Sequence, residues 1–85
     1  MLFRSQAFNG RGLATTAVHE MVHRAFDDLG FHRLEAGTLV DNERSQRVLE
    51  RNGFQRYGLA PKLLFIDGEW RDHVLFQRIN DQWKP

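Results

Sequence analysis

Asn9-Gly10-Arg11-Gly12-Leu13-Ala14-Thr15 runs without interruption into a segment whose apolar residues are Ala14, Ala17, Val18, Met21, Val22, Ala25, Phe26 and Leu29. That spacing of i, i+3, i+4 and i+7 puts one broad apolar stripe along a helix. A glycine-rich turn feeding straight into a helix is a ready-made anion site. The first-turn N–H groups have no partner inside the helix, and the helix dipole adds partial positive charge at the same end. Glycine lets a ligand approach the backbone without meeting a Cβ, and Arg11 adds a full charge. A phosphate or pyrophosphate is the natural guest. Read alone, the same pattern equally describes a plain tight loop.

Working outward, residues 1–8 read as the end of a strand, and Gly30 follows Leu29 as a helix stop. Residues 32–40 alternate, with Leu34, Ala36, Thr38 and Val40 on one face and Arg33, Glu35, Gly37 and Leu39 on the other, which predicts a strand. Asp41 or Asn42 caps a second helix that runs to about Arg51 with Val48 and Leu49 inward. Asn52-Gly53 closes that helix, and Phe54 packs back on its end. Residues 54–66 contain a strand best defined at 63–66, with an interruption or bulge at Pro61 just before it. Asp67-Gly68 is a two-residue hairpin turn, residues 69–79 return with Trp70, Val74 and Phe76, and the last six residues are expected to fray. The order (β)–α–β–α–β–β predicts an α/β fold whose mixed sheet ends in an antiparallel hairpin.

The bulk numbers agree with one small domain spanning residues 1–85. A chain this short buries only ~60–65% of the surface its unfolded form exposes, so the core is thin. Twelve basic and eleven acidic residues leave a charge of +1, which gives no electrostatic footprint for nucleic acid or an anionic membrane. The sequence has no cysteine, which excludes disulfides, thiolate zinc sites and cysteine nucleophiles and suits a reducing compartment. The opening residues lack the apolar stretch of a signal peptide, and no apolar run is long enough to span a bilayer. The cytoplasm is the expected location.

Three stretches together resemble the C-terminal half of a GNAT-type (acyl-CoA N-acyltransferase) domain, and most of all the ribosomal-protein alanine N-acetyltransferases. Gly10-Arg11-Gly12-Leu13-Ala14-Thr15 with its helix is similar to the family's acetyl-CoA pyrophosphate loop. Asp41-Asn42-Glu43-Arg44-Ser45, running on to Leu49-Glu50-Arg51-Asn52-Gly53-Phe54, resembles its Asn-x-x-Ser helix with a closing Gly-Phe. Ile66-Asp67-Gly68-Glu69-Trp70-Arg71-Asp72-His73 looks like the terminal hairpin of this subgroup. The resemblance implies a partial GNAT fold and acetyl-CoA as cosubstrate, with the pyrophosphate on the backbone N–H groups of residues 10–15 (Gly10, Arg11, Gly12, Leu13, Ala14 and Thr15). It implies Asn42 on the pantetheine arm, and Ser45 near the thioester sulfur as the catalytic hydroxyl for the departing thiolate. The acceptor would be a primary amine, such as a protein N-terminal amine. Attack of a neutral amine on the thioester carbonyl needs a deprotonated amine, donors for the oxyanion and a route for the proton.

The sequence departs from the family pattern at identifiable places. Asn9 stands where the loop usually opens with Gln or Arg. Leu49 stands where many GNAT enzymes carry a tyrosine acid, and Leu64 falls near a glutamate base of some relatives. Against the family's full domain, the first strands, the first helices and much of the acceptor pocket are expected to lie outside this sequence. The alternative reading is therefore a non-catalytic, truncated module that pairs with a second copy or another chain through its open sheet edge.

A second motif competes. His19-Glu20-Met21-Val22-His23 spells HExxH, the zinc-hydrolase helix signature. At about 100° per residue, with the apolar stripe centred near Val18, Met21 and Ala25, both histidines fall on the solvated side. Phe26 stands where the extended motif needs a third ligand. The expectation is two surface histidines and no metal. Arg44, Arg47 and Arg51 read as a solvated face, Asp72 and His73 as neighbours pointing to opposite sides of a strand rather than a dyad, and Trp70 and Phe76 as packing residues.

Overall fold

The computed structural model describes the backbone of residues 2–4 and 12–85 and the side chains from Thr15 onward. Strand β1 (Leu2–Arg4) is followed by helix α1 (Gly12–His23), strand β2 (Arg33–Leu39), helix α2 (Glu43–Arg51) and the long hairpin of β3 (Gln55–Ile66) and β4 (Glu69–Ile79). The four strands form one sheet in the order β1-β2-β4-β3. β1 and β2 run parallel, with Phe3 opposite Ala36, and both pairings of β4 are antiparallel. This is the mixed sheet with a terminal hairpin that the sequence predicts, with α1 as the crossover between the parallel pair.

Each helix begins and ends for a local reason. α1 continues into one π turn, Arg24–Asp28, sealed by Leu29 N–H to the Arg24 carbonyl at 3.0 Å. Gly30 then takes φ +72°, and Phe31 N–H reaches the Ala25 carbonyl at 3.0 Å. Glycine is the natural residue for that left-handed stop. The π turn rotates the end of the stripe off the helix phase, so Leu29, expected inward, is exposed. Ala17, expected inward too, is exposed on the regular part of α1. α2 is capped by Asn42, whose side-chain oxygen accepts from Ser45 N–H at 3.2 Å. It closes in a Schellman turn, with Phe54 N–H to Leu49 O at 3.0 Å, Gly53 N–H to Glu50 O at 3.1 Å and Gly53 at φ +81°.

Both helices pack on one face of the sheet. Val18, Val22 and Ala25 meet Leu34 and Ala36 of β2, Val48 and Leu49 of α2, Phe54, and Val74 and Phe76 of β4 in a single core cluster. Thr38 continues the inward face of β2, whereas Val40, expected there too, has left the strand and is exposed. The hairpin bulges where Pro61 withholds a donor. The register shifts between Ala60 and Leu64, and Lys62, at φ +48°, has its N–H held by Asp72 Oδ1 at 2.9 Å. Asp67 (φ +52°) and Gly68 (φ +81°) make the tight turn. Phe76 is in the core, but Trp70 is exposed on the hairpin, edge-on to Phe65 at 5.5 Å. The chain end is anchored rather than frayed. Asn80 N–H bonds His32 O at 2.9 Å, Trp83 Nε1 donates to Gly30 O at 2.8 Å, and the Trp83 ring lies edge-on to His32.

On the opposite face, Tyr57, the only tyrosine of the sequence, reaches across β4 and donates its phenol to Glu35 Oε1. Arg33 also donates to Glu35 and lies 5.3 Å from the Tyr57 ring centre. The bond to Glu35 raises the Tyr57 pKa above its usual value, and the bonds from Tyr57 and Arg33 lower that of Glu35. The Glu35 contribution to stability is present above the unfolded carboxylate pKa and lost as pH falls through the lowered folded value. The Tyr57 contribution is present below the unfolded phenol pKa and lost as pH rises through the raised folded value. Ultraviolet titration of tyrosinate reads this single residue. The midpoint should lie above that of free tyrosine and return toward it in Glu35→Gln, and an unchanged midpoint in that variant would contradict the pairing.

Candidate functional site

The described part of α1 begins at Gly12, inside the glycine-rich stretch, and its first turn comprises residues 12–15. Among the residues expected to hold a diphosphate, Gly12, Leu13, Ala14 and Thr15 form this turn, while Gly10 and Arg11 lie outside the described residues. Thr15 Oγ1 is buried and makes no hydrogen bond, and Thr38 Oγ1 on β2 is the other such atom among the described residues. An orphaned hydroxyl in the first turn, beside unpaired backbone donors, fits a polar, anionic group arriving there.

The second part of the site is the corner between β2 and α2. Asn42 N–H bonds Leu39 O at 3.1 Å, and the Asn42 side chain caps α2. Gln46, one turn along, donates Nε2 to both Leu39 O (3.2 Å) and Val40 O (3.1 Å), which fixes the corner that carries Asn42. Ser45 is only 1% exposed. It precedes Val48 and Leu49 by three and four residues and therefore shares their inward face. Nine-residue α2 separates this corner from its own C-terminus by about 13 Å.

That far end meets α1. The side chain of Asn52 donates to Thr15 O at 3.2 Å and to Val48 O at 2.9 Å, and Arg78 of β4 donates Nη1 to Asn52 O. In the sequence Asn52 reads only as part of the helix end, and Gln46 and Arg78 carry no signal of a role. Their bonds are tertiary, and no local periodicity announces them.

The remaining candidates fall where their phase puts them. His19 and His23 are exposed, and His23 Nδ1 pairs with Asp27 Oδ2 at 2.6 Å, one turn along. No group of three metal-ligating side chains converges among the described residues. Arg44, Arg47 and Arg51 are exposed. Asp72 holds the bulge, while His73 is buried with Nδ1 3.1 Å from Arg71 O, so the two form no dyad. No described helix is long and apolar enough to cross a membrane.

A helix with a glycine-rich start, crossing between two parallel strands, and a second helix capped by Asn42 and closed by Gly53-Phe54 are arranged as in known proteins. The family model for the acetyltransferase (GNAT) domain matches residues 1–55. The chain belongs to the GNAT acetyltransferase family. It is 44% identical over 78 residues to the probable N-acetyltransferase YjcK of Bacillus subtilis, covering 92% of this chain and 43% of that protein. Among solved structures, it resembles a ribosomal-protein-S5-alanine acetyltransferase from Vibrio fischeri, with a TM-score of 0.85, 39% identity, 94% of this chain and 44% of that one. It also resembles Mycobacterium smegmatis RimJ in complex with CoA-disulfide, with a TM-score of 0.81, 35% identity, 87% of this chain and 35% of that one. The chain thus spans under half the length of these relatives, and its fold is a partial GNAT fold.

Proposed function

We propose that this chain is the coenzyme-binding portion of an acetyl-CoA-dependent N-acetyltransferase that acts in the cytoplasm on a primary amine, such as a protein N-terminal amine. The observation that carries this reading is that the glycine-rich stretch runs directly into α1. The described part of α1 begins at Gly12, within the glycine-rich stretch, and α1 leads from there toward β2, the parallel neighbour of β1. Membership of the GNAT family and the likeness to a chain solved with a CoA derivative support it.

In this reading the N–H groups of residues 10–15 hold the diphosphate with help from Arg11, and the Thr15 hydroxyl gains the partner it lacks. Asn42, at the other end of α2, meets the pantetheine arm. Ser45, on the inward side of the same turn, supplies a hydroxyl toward the departing thiolate. Bound acetyl-CoA supplies the thioester that the amine attacks. Leu49 and Leu64 cannot take or give a proton, so Ser45 is the candidate acid of this chain.

Thermal unfolding with and without coenzyme tests the reading. A ligand at a hundred times its Kd adds about 2.7 kcal/mol, so the melting temperature of a domain this size should rise by about 10 °C or more with CoA or acetyl-CoA. An unchanged melting temperature at saturating CoA would overturn coenzyme binding by this chain.

A further inference from the structure

Asn52 is a buried polar residue, 6% exposed, at the point where α2, α1 and β4 meet. One part of its side chain closes α2, donating to Val48 O at 2.9 Å beside the backbone bonds of Asn52, Gly53 and Phe54 to Leu49 and Glu50. The same amide also spans 37 residues of sequence to donate to the carbonyl of Thr15, near the described start of α1. The Asn52 residue is held in turn from the sheet side. Arg78 donates to its carbonyl, and the Arg78 guanidinium lies 5.6 Å from the centre of the Phe26 ring.

We infer that Asn52 is a positioning residue for the anion-binding end of α1: it pins the first turn through Thr15 and so keeps the free N–H groups of that turn at the spacing a diphosphate needs. A helix N-terminus has no internal bonds to its first N–H groups and frays readily. The glycines before it restrict the backbone least of all residues. The end of α1 that must be most exact is therefore the end local forces hold least well, and a tertiary bond supplies what the sequence around Gly12 does not. The functional half of this inference rests on the coenzyme reading above, while the pinning itself does not.

The test uses the 85-residue chain and the variant Asn52→Leu, which keeps the shape and removes both donors. Hydrogen exchange by mass spectrometry reports the pinning. Amides in the second turn of α1, which bond back to the carbonyls of the first, should exchange at least ~10-fold faster in the variant, while β4 stays as protected as in the parent chain. Calorimetry with CoA, ADP and pantetheine reports the function. Affinity for CoA and ADP should fall about tenfold and that for pantetheine, which has no diphosphate, should hold. A merely structural role would speed exchange throughout the core and weaken all three ligands alike. Unchanged exchange at the start of α1, or a parallel loss for pantetheine and CoA, would overturn the inference. If the parent chain binds neither CoA nor ADP, it is the coenzyme reading that fails, and the exchange data still decide the pinning.

Discussion

Phe76→Ala should lower the stability of the chain by about 3–5 kcal/mol, enough to leave much of it unfolded at physiological temperature. Phe76 is 1% exposed and the largest fully buried side chain described. It lies on β4 between Ala36 of β2 and Arg56 of β3, in the cluster that joins both helices to the sheet. Truncation removes the transfer free energy of the ring and leaves a cavity that small neighbours such as Ala25 and Ala36 cannot refill. Domains are stable by only ~0.05–0.15 kcal/mol per residue, and a core this thin has little in reserve. The melting temperature should fall by about 15 °C or more. Trp70→Ala is the control, because Trp70 is 59% exposed and touches Phe65 on the hairpin outside that cluster. A loss under ~1 kcal/mol for Phe76→Ala, or an equal loss for Trp70→Ala, would mean that the core is not where the packing puts it.

Gly12→Asp should weaken coenzyme binding ~30-fold while leaving the fold intact. A carboxylate at the first residue of a helix is favourable to the helix itself, by about 0.3–1 kcal/mol. At the same place it repels an anion. Two unit charges 4 Å apart at an effective dielectric of 20 cost about 4 kcal/mol, and half of that lowers affinity ~30-fold. Calorimetry with CoA reads the loss, and thermal unfolding without ligand checks that the fold is kept. The two readouts move in opposite directions, which separates loss of a site from loss of structure. Retained CoA affinity in this variant would place the diphosphate somewhere other than the start of α1.

The features legible in the sequence are those fixed by short-range chemistry. Gly30, Gly53 and Gly68 stand where the backbone takes positive φ, Asn42 where a side-chain oxygen can cap α2, and Pro61 beside the bulge. The alternation of Leu34, Ala36 and Thr38 correctly marks the buried face of β2. The misses share a different cause. Leu29 follows a π turn, whose wider winding no apolar spacing reveals, and Val40 follows the end of β2. Trp83 looks like part of a loose tail until Gly30 O is found within reach of its indole. Tyr57 meets Glu35 across an intervening strand, so the pair depends on a register that only the assembled sheet sets.

The site divides in the same way. The glycine-rich turn proposed to hold the diphosphate and the cap at Asn42 are local motifs and can be read directly. The inward turn of Ser45 was available from its phase with Val48 and Leu49, yet a serine in a first turn suggests a cap before it suggests burial. Gln46, Asn52 and Arg78 were out of reach, since each acts through a backbone carbonyl that is distant in sequence or lies round a corner. The sequence names the groups that would meet a ligand, and the fold shows the groups that hold them still.

The most direct measurement is a titration of the nitrogen-15-labelled chain with CoA, followed by amide NMR. If the account is right, the largest shifts fall on the amides of residues 10–15, and pantetheine alone leaves these unmoved while shifting Asn42 and its neighbours. If CoA binds and the amides around Gly12 stay where they were, the central claim is wrong.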